Sequence, residues 1–261
     1  GAAAQPLGMS PNGTVAAAST VYLAPGQSTA GLTNDEQFWQ LPVANSLNVT
    51  GICVVTSTAQ PATGTLVFTL RQNEAPTALA LTIAASGPAG RRCVSGNVAY
   101  AGGDTLAVQL VNNAPATASA NVQQIVLDTT LTGAGQTALL VFPKGNRALT
   151  ASTIRYSPGF LNSALAAAET TAHTPMPRAG TAKNLRCYLK TAGANDATVT
   201  VFKEGVATAL TLTLDAAGGN NRVISDTANS VAFLKDDSYS MQWSPGAGAV
   251  PVSPGCTMEF D

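Results

Sequence analysis

Reactive side chains are scarce in this chain: its 261 residues include one histidine, four cysteines, 14 acids and 13 bases. The histidine, His173, lies in Ala172-His173-Thr174-Pro175. A histidine-based metal site needs more than one such ligand, and a Ser-His-Asp triad needs a serine poised beside the imidazole. Ser157 and Ser163 lie near it in sequence but lack the Gly-x-Ser-x-Gly elbow. His173 therefore reads as a loop or interface residue. Paired carboxylates facing across a groove would suit glycoside hydrolysis, but Asp35-Glu36 and Asp236-Asp237 are adjacent along the chain. Asp237 aligns with Asp104 just before a strand, where an aspartate closes a turn by accepting backbone amides. Too few oxygen ligands surround Asp236 and Asp237 for a calcium loop.

Cysteines 53, 93, 187 and 256 form no Cys-x-x-Cys pair, which excludes a zinc ribbon or a thioredoxin-like motif. Cys187 alternates with Leu185 and Leu189, and Cys256 with Met258 and Phe260. That pattern reads as buried free thiols behaving as small hydrophobes, with one or two bridges as the alternative. The stretch Ala216 to Asn221 lacks the Gly-Lys-Ser/Thr of a phosphate loop and reads as a hairpin. Phe38 and Trp39 could form a sugar-stacking platform, but burial is the preferred reading. The expected sets of catalytic, cofactor-binding and metal-ligating residues are thus empty, and no cofactor is expected.

The elements that would position any site are strands. Leu66, Phe68 and Leu70 alternate with polar or smaller neighbours, as do Leu79, Leu81 and Ile83. Runs such as Ser86-Gly87-Pro88 and Gly102-Gly103-Asp104 separate them. Short strands between Gly and Pro turns spell a β-sandwich or barrel. The pattern then recurs: Thr69–Ile83 returns as Thr200–Leu214 at an offset of 131, and Val98–Leu110 as Val231–Trp243 at 133. A period near 130 is a duplicated domain, not a solenoid. The boundaries read as an extended N-terminal arm over 1–18, a first sandwich over 19–130, a short flexible linker over 131–136 and a second sandwich over 137–261. Ile125 and Leu127 are matched with Met258 and Phe260, and Asp128 with Asp261. On that alignment Cys53 and Cys187 correspond while Cys93 and Cys256 have no counterparts, so a disulfide inherited from the ancestor is not expected. Asn162 to Thr174 is the one helix candidate, read as an insertion without a match in the first copy.

Charged residues make up only 10% of the chain, against about 25% in an average domain. Residues 1–34 and 105–127 carry none. A surface this neutral suggests cover by neighbouring chains. A net charge of −1 argues against nucleic-acid binding, which needs a basic stripe. The basic runs Lys144, Arg147, Arg155 and Arg178, Lys183, Arg186, Lys190 read as solvated or interface salt-bridging side chains. No stretch approaches 18 apolar residues, so no membrane-spanning helix is expected. The N-terminal residues also lack a signal peptide's charged start and apolar run.

The series Asn184–Leu189, Thr198–Gly205, Ala209–Leu214, Ser230–Phe233 and Asp237–Met241 resembles the jelly-roll modules of tailed-bacteriophage particles. In those modules a strand ends in a Lys/Arg-Asn/Glu-Gly hairpin, an alternating Thr/Leu strand follows, and a Gly-Asp turn opens a later strand. The resemblance covers 184–261 well and 47–128 loosely, about 160 residues. It departs at Glu74, where the hairpin glycine is missing, and at Asp236, which replaces the turn glycine. It implies an all-β chain of two tandem antiparallel jelly-roll sandwiches with a non-enzymatic role on a virion. The expected role is a capsid decoration (cement) protein bound to the major capsid protein as a homotrimer, on the capsid surface of particles assembled in the bacterial host cytoplasm. A tail, fibre or baseplate component and a secreted carbohydrate-binding module are the alternatives. No nucleic-acid or membrane partner is expected.

Overall fold

The computed structural model describes residues 3–11, 13–26, 33–60, 62–115, 120–143, 149–157, 165–248, 251–253 and 255–261. Its first half holds ten strands: β1 (Ala3–Met9), β2 (Gly13–Val15), β3 (Ser19–Leu23), β4 (Leu41–Pro42), β5 (Leu47–Thr56), β6 (Leu66–Gln72), β7 (Ala75–Ile83), β8 (Gly90–Tyr100), β9 (Thr105–Asn112) and β10 (Ala120–Leu131). Every pairing is antiparallel. One sheet runs β1-β10-β5-β8 and the other β3-β9-β6-β7. This is the jelly-roll arrangement, in which the first and last long strands lie side by side at the middle and edge of one sheet.

That topology corrects the expected arm. Residues 3–9 are strand β1, paired residue for residue with Leu131 to Ile125 of β10. Leu7 and Met9 are 4% and 1% exposed and belong to the first core. Without this strand the middle of the sheet would become its edge. The arm belongs to the core.

The second half repeats the frame with β11 (Ala138–Pro143), β12 (Arg155–Ser157), β13 (Thr174–Pro175), β14 (Gly180–Leu189), β15 (Ala197–Lys203), β16 (Val206–Leu214), β17 (Arg222–Phe233), β18 (Ser238–Pro245) and β19 (Gly255–Phe260). Its sheets run β11-β19-β14-β17 and β12-β18-β15-β16, the same order strand for strand. The duplicated jelly-roll sandwich is therefore the fold of the chain. The expected helix over 162–174 is not formed by the described residues. Residues 162–164 lie outside them, and the rest holds a bridge at Ala166 and a 3-10 turn, Glu169–Thr171. Nor is this an insertion, because the turn matches the 3-10 turn Glu36–Trp39 that precedes β4 in the first copy.

The alternation expected for the strands is the burial pattern observed. Leu66, Phe68, Leu70, Val199, Val201, Leu210 and Leu214 are fully buried. Each such side chain contributes roughly 1.5–3 kcal/mol by leaving water. Tyr239, Met241 and Trp243 fill the second core rather than an outer seam. Asp104 and Asp237 close equivalent turns by accepting from the Ala101 and Leu234 amides at 2.9 and 2.6 Å.

Strand register also corrects the alignment of the last strands. Val54 of β5 and Cys187 of β14 hold the same place, opposite Ile125 and Cys256. So Ile125 and Leu127 match Cys256 and Met258, and Asp128 matches Glu259, two positions from where sequence spacing put them. The free-thiol expectation fails as well: Cys53 is bonded to Cys93 and Cys187 to Cys256. Each pair joins directly opposite residues on neighbouring strands, with Cα atoms 4.1 Å apart. The bridges are not homologous. Arg186 and Ser225 occupy the places of the first pair, and Val54 and Ile125 those of the second.

Candidate functional site

The residues with reactive chemistry are placed apart, each in a structural role. His173 Nε2 meets Glu169, which also accepts from Ser240 Oγ at 2.8 Å. The same contact exists in the first copy, where Gln40 Nε2 donates to Glu36 Oε1 at 2.9 Å. His173 thus stands where the other domain has a glutamine, holding a glutamate four residues before it. Ser157 is buried and accepts from Trp243 Nε1 at 3.0 Å. Ser163, Lys144 and Arg147 lie outside the described residues. Asp35 accepts from Gln37 N and from Lys190 Nζ. Glu36 forms a two-pronged pair with Arg71 at 3.1 and 2.7 Å. Asp237 binds Lys203 at 2.8 Å, and that bond, with the Leu234 amide, holds its carboxyl below the usual range. Among the described residues no three His, Cys, Asp or Glu side chains converge as metal ligands. No described helix is long and apolar enough to cross a membrane.

What the two domains do bring together is each other. Segment 35–46 of the first domain lies on the outer face of the β11-β19-β14-β17 sheet. Thr257 Oγ1 donates to Pro42 O at 2.7 Å, Arg186 Nε to Ala44 O at 2.9 Å, and Asn45 Nδ2 to Glu259 Oε2 at 2.9 Å. Gln5 exchanges two bonds with the Leu139 backbone at 2.8 and 2.7 Å. Strand β11 serves both cores: Leu139 and Val141 join the first, Leu140 and Phe142 the second. Of residues 131–136, expected to be a flexible linker, Leu131 ends β10 and 132–136 form a turn tied to Ser46 O by the Thr132 and Gly133 amides. Of the basic run Arg178, Lys183, Arg186 and Lys190, read as solvated or interface salt-bridging side chains, Lys190 makes an ion pair across this joint and Arg186 a hydrogen bond. Lys190 pairs with Asp35 and sits over the Phe38 ring at 3.0 Å.

Glu259 is the charge at the centre of this joint. It is fully buried, held by Asn45 and by Asn184 Nδ2 at 2.5 Å, with Lys183 Nζ 3.6 Å away. A buried carboxylate is tolerated only with such partners. Lys183 is held above its usual pKa chiefly by its bond to Asp261, while burial alone lowers that of Arg186. Beside the joint a cleft of about 210 Å³ is lined by Glu74, Thr105, Tyr188, Asn221 and Arg222 among others. Tyr188 donates to Glu74 Oε1 across it at 2.9 Å, and burial followed by this bond raises the phenol far above its ordinary value. Phe38, capped by Lys190, and Trp39, 2% exposed, offer no stacking platform. Burial, the preferred reading, holds for Trp39; Phe38 is half-buried against the first core.

Two surfaces remain open in the first domain but are covered or sealed in the second. On the outer face of β1-β10-β5-β8, Pro6, Gly8, Cys93 and Asp128 are exposed. Their neighbourhood in the second copy is the joint just described. The other is the edge strand β7, which is bonded only to β6. In the second copy Asp226 of β17 accepts the outward Thr211 amide of β16 at 3.1 Å. The first copy has Val94 at that place, and the equivalent amide, Ala80 N, has no such cap. Neither strand contains a charge. An uncharged, uncapped edge is a template for strand addition.

No family model matches the chain, and no curated protein matches it. Among solved structures, a Paenibacillus xanthan lyase aligns at 10% identity and a TM-score of 0.28, over 84% of this chain and 21% of the lyase. The chain thus spans about a fifth of that enzyme. The tandem CBM22 domains of Paenibacillus barcinonensis Xyn10C align at 12% identity over 99% and 98% of the two chains, with a TM-score of 0.24. A plant peptide RALF23 complex with FER and LLG2 aligns at 9% identity over 98% and 95%, also at 0.24. Likenesses this distant carry no argument about substrate or partner.

Proposed function

We propose that the chain is a non-enzymatic structural subunit of a bacteriophage particle, a decoration (cement) protein that binds the outer capsid surface and bridges major capsid subunits as a homotrimer. The observation that carries this reading is the uncharged β7 edge with its uncapped backbone, on a duplicated frame whose other copy caps an amide of the same edge. Such an edge offers a second chain main-chain hydrogen bonds across a flat row of Ala78, Ala80 and Thr82. The low charge of the whole chain fits a surface shared with neighbours. The two jelly rolls are joined through a buried carboxylate and a shared apolar strand, which suits a rigid bridge between two attachment points. Two disulfides fit a working life outside a reducing compartment. On this reading they close after the particle leaves the host cytoplasm.

The test is compositional. Purified heads carry the protein at a fixed ratio to the major capsid protein, and heads lacking it lose heat tolerance. Recovery only with tails, fibres or baseplates would move the protein to that part of the particle. Binding to a glycan array, with no affinity for heads, would establish the carbohydrate-binding alternative instead.

A further inference from the structure

We infer that the Cys53–Cys93 bridge is a thiol-exchange site on the open face of the first domain, taking a small thiol at Cys93. Three features of the structure converge on it. Cys93 is exposed on β8, an edge strand bonded only to β5, whereas Cys53 is 7% exposed on the inner neighbour. An attacking thiolate therefore reaches one sulfur of the pair before the other. Arg91 Nη2 lies 3.5 Å from Cys53 Sγ, where its charge favours the thiolate that departs. Asp128 Oδ2, at 3.9 Å, opposes this from slightly farther away. The second bridge supplies the contrast: Cys187 and Cys256 are both 0% exposed inside an apolar core.

The step is a displacement. A thiolate attacks Cys93 Sγ and forms a new S–S bond to it. The Cys53–Cys93 bond breaks, and its electron pair leaves on Cys53 Sγ. The mixed disulfide stands until a second thiolate removes it; with two thiols consumed, the thiol is oxidised to its disulfide and the protein bridge is reduced. The Arg91 and Asp128 side chains crowd the Cys53 end of the bridge at 3.5 and 3.9 Å, and a small thiol meets less of this crowding than a cysteine carried by a folded protein.

Incubating the native chain with reduced glutathione, quenching with iodoacetamide and mapping peptides by mass spectrometry tests this. The expected result is glutathione on Cys93, alkylated Cys53 and an intact Cys187–Cys256 bridge, with the first pair exchanging roughly 10-fold or more faster, because access sets the rate. Arg91→Gln should slow the first exchange several-fold while leaving unfolding by guanidinium unchanged. Equal reaction at both bridges, glutathione on Cys53, or no reaction until the chain is unfolded would each overturn the assignment. So would reaction with reduced thioredoxin but not with glutathione. An Arg91→Gln rate equal to that of the parent would remove the arginine from the mechanism.

Discussion

The same sheet face meets protein in one domain and solvent in the other. In the second domain Leu139 and Val141 of β11, with Thr257 and Glu259 of β19, point outward and are at most 2% exposed. Register places Pro6, Gly8, Val126 and Asp128 at those positions in the first domain. The core residues under both faces stay apolar, while the outward row changes from leucine and valine to proline and glycine. A jelly roll thus acquires a docking face by changing its outward residues without altering its frame. The Cys53–Cys93 pair lies on the undocked face of the first domain, whereas Cys187 and Cys256 point into the second core.

A matched pair of lysines breaks this comparison most directly. Val141→Lys puts an unpaired ammonium into a joint where the native side chain is 2% exposed. It should cost about 3 kcal/mol or more, because a buried charge without a partner is strongly destabilising. Gly8→Lys, with open space around its Cβ position, should stay within roughly 0.5 kcal/mol. Guanidinium unfolding of both variants measures the difference. Equal effects would mean that the two faces are equally covered or equally free.

How much of this was legible in the sequence depended on whether the signal was local. Leu66-Phe68-Leu70 and Leu210-Leu212-Leu214 announce themselves by alternation, and Asp104 and Asp237 by the turns they close. Segment 3–9 does not, because it offers only Leu7 and Met9 and its partner lies more than 115 residues away. The disulfides depend on cross-strand register, β5 against β8 and β14 against β19, which no local spacing reveals. His173 looked solitary because its counterpart, Gln40, is a different residue type in the same hydrogen-bonded place. The joint is readable only in part: the basic run of 178–190 leaves solvated and interface roles open, and nothing local says that Leu139 and Val141 serve the other core.

Acid sharpens the comparison of the two edges. Burial pushes the Asp226 carboxyl up, but the Asn229 side chain and the Asn229, Thr211 and Ala228 amides outweigh it and hold the group below its usual value. A carboxyl depressed by folding stabilises the folded state above the unfolded-state pKa, about 3.9. That stabilisation fades as pH falls from there through the lower folded value. In the second domain the loss is felt at the edge that Asp226 seals. Exchange of the Thr211 amide, followed by NMR from pH 5 downward, should accelerate relative to Ala80 as Asp226 protonates. Asp226→Asn should abolish that extra acid sensitivity. A constant Thr211 to Ala80 ratio across this range would show that the carboxylate does not seal the edge.

The smallest effect is expected at the hairpins joining β6 to β7 and β15 to β16. Both central residues of the first turn have positive φ, 50° at Asn73 and 64° at Glu74, as do Glu204 and Gly205 of the second. This is the two-residue turn that fits the twist of paired strands and favours glycine. A glutamate there costs about 1 kcal/mol, so Glu74→Gly should relieve strain. The same change deletes the acceptor of Tyr188 Oη across the cleft, leaving a buried hydroxyl worth about 1 kcal/mol unpaired. The two terms nearly cancel in total stability, but they act at different places. Unfolding should therefore shift by less than about 1 kcal/mol, while hydrogen exchange at the cleft-lining residues around Tyr188 rises. The double variant Glu74→Gly, Tyr188→Phe removes the orphaned hydroxyl and should recover stability relative to Glu74→Gly alone. If Glu74→Gly instead stabilises the chain by the full strain term and leaves exchange at Tyr188 unchanged, the glutamate contributes nothing to the joint. The departure from glycine in the first copy would then be strain without a partner.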